Sequence, residues 1–117
     1  VIEVSVLVDK LNSMQSSEIA DLMKQAGVRG EVQVETACVL ANWIRRESGK
    51  EVAVGVHRRD GEQMVFGVVN YEGDYDFFLG QQYEEFYPLE PGPQNFIGEF
   101  DNHRYPELIE DHEDYDV

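Results

Sequence analysis

Glu51-Val52-Ala53-Val54-Gly55-Val56-His57, then Arg58-Arg59-Asp60-Gly61, then Glu62-Gln63-Met64-Val65-Phe66-Gly67-Val68-Val69-Asn70 is the stretch of this 117-residue chain that decides its fold. Two runs rich in β-formers flank an Asp-Gly dipeptide, whose residues tolerate the positive φ of a type I′ turn. The stretch therefore predicts an antiparallel hairpin with a two-residue loop. Pairing outward from Asp60-Gly61 sets Val56 opposite Val65, Val54 opposite Gly67 and Val52 opposite Val69 on one face. His57 with Met64, Gly55 with Phe66 and Ala53 with Val68 form the other. Both faces are apolar, so we expect the hairpin to be covered by two helices on one side and by part of the C-terminal segment on the other.

Towards the N-terminus, Thr36 is positioned to cap a helix whose apolar stripe is Val39, Leu40, Trp43 and Ile44. Arg45 and Arg46 suit its C-terminal dipole, and Gly49 suits its end. Before it, Ser16 or Ser17 can cap a helix with Glu18 in the first turn, Ile19, Leu22, Met23 and Ala26 on one face, and Gly27 as its terminator. Residues 1–8 alternate, with Ile2, Val4, Val6 and Val8 on one side, as a half-buried strand would. Because the chain starts at Val1 and Met14 offers a second start, residues 1–13 read as either a foreign leader or an extra strand.

Towards the C-terminus, Asp76-Phe77-Phe78-Leu79 is expected as a short strand and Gln81–Tyr87 as a helical turn. Pro88–Pro93 reads as a loop and Phe96–Phe100 as an edge strand. Tyr105–Glu110 reads as a short helix with Pro106 at its first position, before an acidic tail at 111–117 that frays. The expected fold class is α+β: a single small domain, residues 1–117, with two N-terminal helices packed on an antiparallel sheet built around the 51–70 hairpin.

Cys38 is the single cysteine, so the chain holds no internal disulfide and no cysteine-based zinc site, which suits a reducing compartment. The apolar stretch Val4–Val8 is too short for a membrane span or a signal-peptide core. We therefore expect a cytoplasmic protein with no membrane association. The net charge of −15 is unevenly placed. Val1–Asn70 carries ten acidic and eight basic residues, whereas Tyr71–Val117 carries fourteen acidic residues against Arg104 alone. The same C-terminal segment holds eleven of the thirteen aromatic residues, which a purely solvating tail would lack, so it is expected to pack against the domain or a partner.

Catalytic and metal motifs are weak. Cys38, near the start of the Thr36-capped helix, can be drawn with His57 as a nucleophile pair, but unpaired cysteines are among the most buried residues and no oxyanion motif accompanies it. His103 and His112 lie among Asp101, Glu107, Asp111 and Glu113, yet their spacing matches no helical zinc pair and no calcium loop. Glu84-Glu85 and Asp74-x-Asp76 read as solvated carboxylates rather than an acid–base pair. Gly27-x-x-Gly30 lacks the Lys-Ser/Thr of a phosphate loop. The expectation is no cofactor and no metal. The charge opposes direct nucleic-acid binding, which needs Lys or Arg on phosphate.

Ala26-Gly-Val-Arg-Gly30, Thr36-Ala-Cys-Val-Leu-Ala-Asn-Trp-Ile-Arg-Arg46 and Val52-Ala-Val-Gly55 together resemble short uncharacterised proteins of actinobacteria and their phages. Those combine a helix, a Gly-bounded turn, a Cys-Pro-Leu-Ala-like helix start and a strand. Val39 stands here in place of the proline, and the resemblance, confined to residues 26–55, implies no function. In size and acidity the chain is also similar to phage DNA-mimic inhibitors and toxin-immunity proteins, by analogy alone.

These features lead to a non-enzymatic protein that blocks a basic, nucleic-acid-binding surface of a partner. Its expected binding residues are Asp74, Asp76, Glu84, Glu85, Phe86 and Tyr87, with Glu110, Asp111, Glu113 and Asp114 as a second patch. One competing reading takes the acidity as solubility and the aromatics as core. Another takes the chain as a small enzyme, or a subunit of one, using Cys38 and His57.

Overall fold

The computed structural model describes residues 2–58, 64–70 and 85–110. Its first element overturns the N-terminal strand: Val4–Asn12 is a helix, α1. Val4, Leu7, Val8 and Leu11 recur at the spacing of one helical face, and all four are buried. The alternating set contained this pattern but divides between two environments, since Val4 and Val8 are buried while Ile2 and Val6 are 41% and 55% exposed. A helix buries Leu7 and Leu11 as well, and that tertiary gain outweighs the β preference of Val4, Val6 and Val8.

Helix α2, Ser16–Ala26, follows the expected bounds, with Ile19, Ala20 and Met23 buried. Its cap is Gln15 rather than a serine. The Gln15 backbone N–H donates to Glu18 Oε1 at 2.8 Å, closing a capping box. Gly27, at φ 71°, ends the helix in the left-handed conformation that glycine adopts without steric cost. Helix α3, Val39–Ser48, likewise ends at Gly49 but starts later than expected, with Cys38 as its cap. Thr36 stays in the preceding turn, where its carbonyl accepts from Arg45 Nη2.

Strands β1 (Val52–Arg58), β2 (Met64–Asn70) and β3 (Glu85–Pro88) form an antiparallel sheet in that order. The hairpin exists, but its register is one residue away from the expected one. Val54 lies opposite Val68, Val52 opposite Asn70 and Arg58 opposite Met64, with residues 59–63 between the last pair. The expected turn at Asp60-Gly61 lies outside the described residues. A one-residue slip exchanges the faces of one strand relative to the other. Here it joins Val52 and Val54 to Val68 and Phe66 on the core face, instead of to Val69 and Gly67, and so packs more apolar volume inside. Gly55 and Gly67 then face each other on the outer side. A Cβ on Gly55 would meet the Glu35 carboxyl group, and one on Gly67 would lie 2.7 Å from the Phe86 ring, so each missing side chain makes room for a neighbour.

The C-terminal half departs further from expectation. Glu85–Tyr87 belongs to β3 rather than to a helical turn, while 76–79 and 81–84 lie outside the described residues. The expected loop at 88–93 and edge strand at 96–100 give way to helix α4, Pro91–Asp101. Pro91 and Pro93 sit in its first turn, where a missing N–H costs no helical bond. Pro93, Phe96, Ile97 and Phe100 are buried at the same spacing as the α1 set. Pro106–Leu108 forms the expected Pro-led turn as a short 3-10 helix, η1. It is followed by a bridge in which the Glu110 N–H donates to the Gly30 carbonyl at 2.9 Å. The expected frayed tail, 111–117, lies outside the described residues.

The fold is thus α+β with one main core, lined by α1, α2, α3, α4, η1 and the inner face of the sheet. Of the two helices foreseen on the sheet, α3 lies against β1. Helix α2 instead packs on α4, η1 and α3, and α1 packs on α4 and α3. Among the described residues no helix is long and apolar enough to cross a membrane.

Candidate acidic interaction surface

Four of the ten expected binding residues fall within the described structure, and three share β3. The strand alternation separates them. Tyr87 packs against the main core, whereas Phe86 joins Ala53 and Val69 on the outer face. Glu85, exposed at the start of the strand, accepts from Asn70 Nδ2 at 3.3 Å. The hydrogen bond from Tyr87, and then that from Asn70, hold the Glu85 carboxyl below the usual carboxylate range. Desolvation, with the hydrogen bond to Glu85 second, pushes the Tyr87 phenol up to about 12. Glu110 stands apart, its backbone bonded to Gly30. Asp74, Asp76, Glu84, Asp111, Glu113 and Asp114 lie outside the described residues.

The structure adds carboxylates that sequence reasoning missed. Glu3, at the cap of α1, contributes with Glu85 to the negative field that raises the Tyr87 phenol. The Asn12 side chain ties the end of α1 to the turn after β3, donating to the Pro88 carbonyl at 3.2 Å and accepting from the Glu90 N–H at 2.9 Å. The N-terminal helix therefore brings Glu3 to the strand that carries Glu85, with exposed Glu90 at the head of α4. The only available signal was the helical spacing of Val4, Leu7, Val8 and Leu11, which would have placed Glu3 at a helix start.

Several cations are drawn into the fold. Lys24 pairs with Glu107 at 3.2 Å, Arg45 with Glu51 at 3.2 Å and Arg46 with Glu47 at 3.3 Å. Arg45 also donates to Asn42 Oδ1 at 2.8 Å, and Arg46 to the Ala26 carbonyl at 2.7 Å. Both arginines thus bridge α3 to the chain around it, beyond complementing its dipole. The carboxylates near His103 have partners of their own: Glu107 meets Lys24, while Asp101 Oδ1 accepts from the Gln33 N–H at 2.8 Å, with Gln33 at φ 59°. Among the described residues no group of three or more His, Cys, Asp or Glu side chains could hold a metal ion. His112, Asp111 and Glu113 lie outside them.

Cys38 caps α3 from within the core at 3% exposure, and its Sγ accepts from the Ala41 N–H at 3.4 Å. Helix-start hydrogen bonds from Ala41 and Leu40 favour the thiolate, but burial outweighs them and pushes the thiol up to about 12. It is protonated at neutral pH and packed as a small apolar group. His57 lies on β1 opposite Val65. No family model, curated protein or solved structure matches this chain.

Proposed function

We propose that this chain is a non-enzymatic acidic binding protein that covers a basic, nucleic-acid-binding surface on a partner protein, in the manner of a DNA mimic or an immunity protein. The observation that carries the reading is the disposition of charge. Of the −15 net charge, −13 belongs to residues 71–117. In the rest of the chain Lys24, Arg45 and Arg46 are each paired with a carboxylate of the chain itself. A surface of this sign raises the encounter rate with cations and repels nucleic acid. Hydrogen bonds from Tyr87 and Asn70 favour the charged Glu85 carboxylate, and Glu3 adds to the negative field at the same tyrosine. Asp74, Asp76 and Glu84 extend that charge in the sequence, and Glu110, Asp111, Glu113 and Asp114 supply a second patch.

The test is competition. The chain, immobilised, is used to capture proteins from host extract at low salt, and each captured protein is then assayed for nucleic-acid binding with increasing amounts of free chain. Support would be a captured nucleic-acid-binding protein that high salt releases and whose nucleic-acid binding is displaced stoichiometrically. Captured proteins that bind nucleic acid equally well under saturating chain, or capture indifferent to salt, would overturn the proposal.

A further inference from the structure

We draw no further inference here: the strongest candidate, the exposed Ile2 and Val6 stripe on the outer side of α1 beside Glu3, is an unpartnered apolar face of two side chains, and nothing in the structure shows what covers it.

Discussion

Cys38 carries two opposed influences on one atom. The start of α3 directs N–H groups at its sulfur and favours the thiolate, while full burial favours the thiol and prevails. The thiol moves from its ordinary 9.0 to about 12, so between those pH values the unfolded chain releases a proton that the folded chain keeps. Stability is therefore intact below pH 9 and falls as pH rises, by up to about 1.4 kcal/mol per pH unit. Tyr87 and Tyr105, also raised by burial, act in the same sense from a higher starting pH. Replacing Cys38 with Ser keeps an acceptor at the cap and removes the thiol's titration. Urea denaturation between pH 8 and pH 10 should then show a shallower loss in Cys38→Ser than in the parent; equal slopes would refute the assignment. Trp43, 4% exposed in the same core, is a packing residue. Trp43→Ala should cost about 3–5 kcal/mol in the same assay, and a loss under about 1 kcal/mol would show that the indole lies outside the core.

At the scale of elements, α1 and α4 are the two helices that local reading took for strands. They share one arrangement of apolar residues, Val4, Leu7, Val8 and Leu11 in α1 and Pro93, Phe96, Ile97 and Phe100 in α4. Each segment is also short and rich in β-branched or aromatic residues, so local preference and helical spacing point in opposite directions. The two helices pack against each other, and each offers the other an apolar face that an isolated segment would leave in water. A chain begun at Met14 would lack the four buried α1 side chains and expose their partners. Deleting one such leucine costs about 2–5 kcal/mol, so losing the whole face should exceed the stability of a domain of this size. The truncated chain should show no cooperative thermal transition and should bind a hydrophobic dye. A cooperative transition within a few degrees of the parent's would mean that α1 is dispensable.

Across the whole molecule, uneven charge sets a balance between solubility, self-repulsion and attraction to a partner. Fourteen acidic residues in the last forty-seven repel one another in the free protein, and a basic partner would relieve that repulsion. Replacing Asp74, Asp76, Glu84 and Glu85 with their amides should leave the melting temperature of the free protein unchanged or raised. The amide keeps one oxygen that can accept from Tyr87 or Asn70, and the weakening of bonds made by an exposed carboxylate matters little. Association of this variant with a captured partner should slow about tenfold at low salt and depend less steeply on ionic strength. Truncation after Glu110 should have a smaller effect, because the tail contributes mainly long-range attraction. Stopped-flow association across a salt series distinguishes the outcomes. A rate for the amide variant equal to the parent's at low salt would leave solubility as the better account of the acidity.

The parts legible in the sequence were those that local chemistry specifies. Gly27 and Gly49 adopt the left-handed conformation where they end α2 and α3, the β-rich runs around Asp60-Gly61 pair, and Pro106 opens η1. The α+β class follows from these alone, and the bias of acidic residues towards the C-terminus is a count of the sequence itself. Tertiary structure decided whether Val4–Asn12 and Pro91–Asp101 are helices, since only burial against each other distinguishes a helical spacing from a strand-like run. It also decided the register of β1 and β2, because the strands slide to whichever alignment places Phe66 and Val68 over the core. At the candidate surface, the sequence singled out Glu85 and Tyr87 but not Glu3, which lies eighty-two positions from Glu85. Only the docking of α1 brings it to the same tyrosine, because proximity across that separation is a property of packing and not of spacing.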